Sequence, residues 1–234
     1  MLKNSKEEWG EEPSRKEDQG NGADGGIVQM TLVFGYGSLI NRGSRKSTVP
    51  SATLAWPINI TGLQRCWNAT AGPGEISTTF LGDYENKRST LNGVAFFATD
   101  AEVNALIRRE SEYSPKHFSL SRIRWWAEQP PVLPETILVF CFAGNRQPTH
   151  SYPIIQSYVD ICLSGCLAVD QSLNSSDFEF SRMFLRGTLG WSTHWVNDRR
   201  QPGVFYRHRP KTPKIDALLS MELPNEFRAI KIEK

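Results

Sequence analysis

Long apolar runs are absent from this sequence: the longest, Ile137 to Ala143, falls far short of the roughly 20 residues that a membrane-spanning helix needs. The N-terminus also lacks the apolar core of a secretory signal. Neither membrane insertion nor secretion is expected, which points to the cytoplasm. Cysteine is scarce. Cys66, Cys141, Cys162 and Cys166 form no C-x-x-C pair and have no histidine at zinc-ligand spacing, so they read as reduced core thiols and no metal site is expected. An excess of one charge is missing as well, since the net charge is only +2. Residues 1–26 carry four Lys/Arg against seven Asp/Glu, which leaves the remainder at +5. A mildly basic body suits a small anionic ligand as well as it suits nucleic acid.

What is present is enough sequence for one buried core. The 234 residues allow one principal domain with a modest extension. Residues 1–27, rich in Glu, Lys and Gly and lacking apolar periodicity, read as a disordered tail in which Trp9 is the single aromatic. The principal domain is expected over 28–170 and a C-terminal extension packing on it over 171–234. Order is expected to begin with a strand from Val28 to Phe34. Further strands are expected over Ala55 to Gly62, Ile76 to Leu81, Leu91 to Ala98, Phe118 to Trp126 and Thr136 to Phe142. Helical periodicity marks Asp100 to Glu110, capped by Thr99 or Asp100, and Pro153 to Leu167. Gln171 to Asp177 resembles a linker. Strands with a few interspersed helices make an α+β domain.

Two features carry chemistry. Gly35-Tyr36-Gly37-Ser38-Leu39 follows the first strand, and such a turn can aim successive backbone N–H groups at one spot, with Ser38 adding a hydroxyl. It is either an anion-binding nest or an ordinary tight turn. No Gly-Lys-Ser/Thr follows, so it is not a Walker A loop. Glu110 closes the helical stretch within Arg108-Arg109-Glu110-Ser111-Glu112-Tyr113. A carboxylate at a helix end is either a solvated charge or, if it projects into a pocket, a proton carrier with a raised pKa.

In series, Val33-Phe34-Gly35-Tyr36-Gly37-Ser38-Leu39, Gly62-Leu63-Gln64-Arg65-Cys66-Trp67, Leu91-Asn92-Gly93-Val94-Ala95-Phe96 and Leu106 to Tyr113 resemble the γ-glutamylcyclotransferase-like superfamily, which includes ChaC-type and AIG2-like proteins. The resemblance covers about residues 31–168. It implies a small mixed β-barrel flanked by helices, and conversion of a γ-glutamyl amide or peptide to 5-oxoproline and an amine without a cofactor. It also implies Glu110 as general acid/base, with Glu112 as the alternative. Tyr36, Gly37, Ser38 and Leu39 would bind the glutamyl group, with Tyr113 shaping the pocket and Tyr158 contacting the same substrate. The chain is taken as a monomer by default. A non-catalytic ligand-binding or regulatory role on the same fold is the first rival. A nucleic-acid module built on the basic and aromatic residues from Arg199 to Arg209 is the second, and no nucleic-acid partner is expected.

Overall fold

The computed structural model describes residues 30–70, 78–130, 132–142, 144–200 and 211–232. The tail with Trp9, the expected strand starts at Val28 and Ile76, and residues 201–210 of the basic-aromatic stretch lie outside the described residues.

The run before the glycine turn is β1, Met30–Gly35. Its side chains alternate between two buried clusters: Leu32 and Phe34 join one, Val33 the other. The sixth strand, β6 (Thr136–Cys141), splits the same way, with Ile137 and Val139 opposite Leu138 and Phe140. A sheet covered on both faces needs apolar residues at successive positions, so these segments read as continuous runs.

Three expected strands form two long ones, β2 (Trp56–Thr70) and β3 (Thr79–Thr99). The expected end at Gly62 is a bulge instead: the pairing register shifts between Thr61 and Leu63, and Gly62 takes φ +89°. The Arg122 side chain fills the space beside it and donates through Nε to the Thr61 carbonyl at 3.0 Å. The strand therefore bends and continues.

The expected strand from Phe118 to Trp126 is divided into β4 (Ser114–Ser119) and β5 (Ile123–Trp125) by a 3-10 turn, Leu120–Arg122. That break reveals the shape of the sheet. Its order is β4-β6-β1-β3-β2-β5, antiparallel except for β1 beside β6, so β4 and β5 occupy opposite edges. Extended chain from Ser119 to Ile123 spans at most about 14 Å, whereas a flat six-strand sheet would separate its edges by about 24 Å. The sheet therefore curls into a half-barrel, and helices flank it.

Helix α1 (Arg42–Lys46) follows the turn after β1. Helix α2 (Asp100–Arg109) starts with a capping box, in which the Thr99 hydroxyl accepts from the Glu102 N–H and the Glu102 carboxylate accepts from the Thr99 N–H. The expected helix from Pro153 begins later. Ile154–Ile155 form β7, paired in parallel with β9 (Trp195–Asn197), and α3 runs over Gln156–Ser172. Gln171 and Ser172 of the expected linker are thus helical. Helix α4 (Glu179–Arg186) follows, fastened by buried Asp170, which accepts from the Phe180 and Ser181 N–H groups at 2.9 and 3.1 Å. After it, β8 (Thr188–Leu189) pairs with β2. Helices α5 (Thr212–Glu222) and α6 (Pro224–Arg228) and strand β10 (Lys231–Ile232), which pairs with β9, complete the described chain. Phe184, Trp195, Ile215 and Leu219 lie in the same buried cluster as Val33, Phe96 and Leu163.

No helix among the described residues is long and apolar enough to cross a membrane. The four cysteines are buried and unpaired.

Candidate active site

The chain leaves β1 at Gly35 and closes a single 3-10 turn, Ser38–Ile40, through Ile40 N–H to Gly37 O and Asn41 N–H to Ser38 O, both 3.1 Å. Three carbonyls of this turn are held from behind by two buried guanidinium groups. Arg65 Nε donates to Tyr36 O at 2.9 Å; Arg45 Nη1 donates to Leu39 O and Ile40 O at 2.9 and 3.1 Å. The N–H groups of Gly37, Ser38 and Leu39 have no protein acceptor among the described residues. They are the donors that the start of a helical turn leaves free. Burial pushes both guanidinium groups down to about 10, which leaves them charged at neutral pH.

A half-open cleft lies at this turn. Its walls include all seven residues singled out from the sequence: Tyr36, Gly37, Ser38, Leu39, Glu110, Tyr113 and Tyr158. Phe34, Gly35, Leu81 and Phe140 complete it. Glu112 is exposed and is not among the lining residues.

Glu110 sits at the C-cap of α2, its N–H bonded to Leu106 O and its carbonyl to the Tyr113 N–H, both 2.8 Å. Those two bonds turn the backbone so that α2 ends with the carboxylate in the cleft. Its side chain is only 19% exposed. Burial raises its pKa above the ordinary carboxylate range, and the Arg109 guanidinium 3.1 Å away opposes that rise. Arg109 also reaches Ser38 Oγ at 2.9 Å.

The tyrosines are buried donors. Tyr113 Oη donates to Leu81 O at 2.7 Å. Tyr36 Oη lies 2.9 Å from Asp83 Oδ1 and 2.8 Å from Phe140 O, so its one proton serves either acceptor in turn. Tyr158 comes from α3, and its hydroxyl lies 3.0 Å from where a Gly37 Cβ would stand. Burial, first among the causes, pushes all three phenols well above their ordinary value. They stay protonated at neutral pH, and Glu110 is the one lining group suited to exchanging a proton there.

Sequence reasoning passed over Arg45, Arg65, Arg109 and Asp83. A signal existed for Arg65, a cation within the strand segment Leu63-Gln64-Arg65-Cys66-Trp67, between Leu63 and the apolar pair Cys66-Trp67. Asp83, buried on β3, accepts from the Phe142 N–H at 2.9 Å and is raised by burial. Arg199, offered for nucleic-acid binding, is engaged by Asp160 and Asp216. No group of three His, Cys, Asp or Glu residues placed to hold a metal occurs among the described residues.

No protein-family model matches the sequence, and no curated protein matches it either. Solved structures do. One named as a gamma-glutamyl cyclotransferase is 13% identical over 80% of this chain and 99% of its own, with a TM-score of 0.54. An uncharacterized protein from Homo sapiens is 12% identical over 77% of this chain and 96% of its own, with a TM-score of 0.53. Likeness at such low identity is likeness of fold. The curled mixed sheet and its flanking helices thus give this chain the γ-glutamylcyclotransferase-like fold.

Proposed function

We propose that the protein cyclises the γ-glutamyl group of a small γ-glutamyl amide or peptide to 5-oxoproline and releases the amine, with Glu110 as general acid/base. The observation that carries this reading is the placement of Glu110, a partly buried carboxylate lining one cleft with the glycine-serine turn.

The lone pair of the neutral substrate α-amine attacks the γ-carbonyl carbon, forming the ring C–N bond and placing negative charge on the carbonyl oxygen. As that bond forms, the Glu110 carboxylate takes one proton from the attacking nitrogen. As that oxyanion collapses, the original amide C–N bond breaks and Glu110 returns the proton to the departing nitrogen. Backbone N–H groups of the Tyr36 to Leu39 turn bind the glutamyl moiety, Tyr158 contacts the same substrate, and Tyr113 shapes the wall beside it. Nucleophile and electrophile belong to one molecule, so holding it folded supplies much of the rate through effective molarity. Proton transfer by Glu110 adds about 10²–10⁴-fold, and no metal or organic cofactor is required.

The test is 5-oxoproline release from glutathione, γ-glutamyl-alanine and ε-(γ-glutamyl)-lysine, comparing the natural protein with Glu110→Gln. The expected result is product from at least one substrate and a fall of about 10²–10⁴ in the variant. Unchanged turnover in Glu110→Gln would sink the assignment of the base. Binding of these compounds without product would favour a ligand-binding protein.

A further inference from the structure

Resting on that reading of the cleft, we propose that Arg109 is a positioning residue that holds the Glu110 carboxylate ionised and directs the Ser38 hydroxyl proton into the cleft. A guanidinium has five N–H donors in a rigid plane, and the four on the Arg109 Nη atoms are hydrogen-bonded. Nε forms an ion pair with Glu110 Oε1 at 3.1 Å. Nη1 donates to Ser44 O and Thr48 Oγ1, both at 2.9 Å. Nη2 donates to Ser38 Oγ and Ser44 Oγ at 2.9 and 3.0 Å.

Four of these acceptors are neutral oxygens of the turn and of the α1 segment, so the position of the cation does not depend on Glu110. The carboxylate therefore meets a charge already in place, which favours its ionised form without reorganisation. Ser38 Oγ accepts from the cation, and its own proton is left to point elsewhere. Since Ser38 lines the cleft, that proton is available to a ligand there. One side chain thus couples the base to the turn that faces it.

The other titratable groups that interact with Glu110 are Tyr113, just beyond α2, and Tyr158 from α3; Tyr36 and Asp83 of β3 interact with Tyr113 in turn. The phenols are neutral near neutral pH, which leaves Arg109 as the cation that opposes burial at this carboxyl.

The experiment is a ¹³C NMR titration of the Glu110 carboxyl in the natural protein, Arg109→Gln and Arg109→Lys, with the pH profile of kcat/KM measured alongside. Removing the charge should raise the Glu110 titration by about one unit, the lower end of what a neighbouring cation provides, because Arg109 is partly exposed. The acid limb of kcat/KM should move up by the same amount. Arg109→Lys keeps the charge and loses the fork, so the titration should stay near the natural position while kcat/KM falls about tenfold as Ser38 is released.

A folded Arg109→Gln protein with an unmoved Glu110 titration would overturn the proposal. If that variant does not fold, Arg109→Lys decides, and an unchanged kcat/KM would overturn it. The titration needs no turnover. Its failure therefore refutes the role of Arg109 alone, whereas absence of 5-oxoproline from every substrate refutes the enzyme reading alone.

Discussion

Replacing Gly165 with alanine sets two effects of opposite sign against each other. Gly165 lies inside α3, where alanine is favoured over glycine by about 1 kcal/mol of helix propensity. Packing opposes the change. A Cβ there would stand 2.6 Å from Asn41 N, 2.8 Å from the Ile40 carbonyl carbon and 2.9 Å from Asn41 Cα, against the 3.4 Å at which ordinary contact begins. Helix and turn would have to separate by about 0.8 Å. Neither side can give cheaply, because Asn41 Nδ2 is bonded to Ser164 Oγ at 2.9 Å and Arg45 holds the Ile40 carbonyl.

Overpacking costs about 1–3 kcal/mol, and three backbone contacts with a pinned partner place this site at the upper end. The net expectation is destabilisation by about 2 kcal/mol, or about 4–8 °C in Tm for a body of this size. Because α3 also carries Tyr158 to the cleft, a displacement approaching 1 Å should cost up to about 10²-fold in kcat/KM for 5-oxoproline release. Thermal unfolding followed by circular dichroism checks the sign. A rise in Tm would mean that propensity wins and that the close approach of α3 to the turn is not a constraint.

Two further substitutions probe the support behind the cleft. Arg65→Lys keeps a buried charge but cannot serve Tyr36 O, Asn92 Oδ1 and O, and Phe184 O together. It should cost about 1–3 kcal/mol in urea unfolding for the acceptors left unpaired, and an unchanged midpoint would refute the anchoring role. Phe184→Ala removes a ring buried in the main cluster, over which the Arg65 guanidinium lies at 4.0 Å. It should cost about 3–5 kcal/mol, and a Tm within 2 °C of the natural protein, on the order of the measurement's spread, would mean that α4 is not part of the core.

The turn and the helix end were legible in local signals, whereas their joint role was legible only through the resemblance of four motifs in series. A strand running into Gly35-Tyr36-Gly37 announces a turn, and Thr99 with Glu102 announces the start of the helix that ends at Glu110. Those cues depend on neighbours in sequence. The long strands were less legible, since Gly62 looks like a stop and becomes a bulge only because Arg122, sixty residues on, packs over it. The start of α3 was misplaced for a similar reason: Ile154 and Ile155 pair with Trp195 and Val196, which no local pattern announces. The arginines were least legible. Arg109 sits in a charge run that suggests solvent, and its partners Ser38, Ser44 and Thr48 are more than sixty residues earlier.

The arginines also brace the turn that lines the cleft. Arg45 and Arg65 are 4% and 1% exposed, and neither forms an ion pair among the described residues. Burying a cation costs several kcal/mol, so stability alone would favour apolar side chains of the same volume at both positions. What Arg65 accomplishes is directional: it draws the Tyr36 carbonyl toward itself, and the same peptide plane presents the Gly37 N–H the other way. Arg45 instead braces the far end of the turn, where the Ile40 and Asn41 N–H groups are bonded within it. Arg109 acts on the side chains at the same place, contacting both Ser38 and Glu110. Arg65 draws on carbonyls of both β3 and α4, so the orientation of the turn depends on the C-terminal segment as well as on the half-barrel. A truncation after α3 would therefore remove part of what aims the turn, even though no residue beyond Tyr158 lines the cleft.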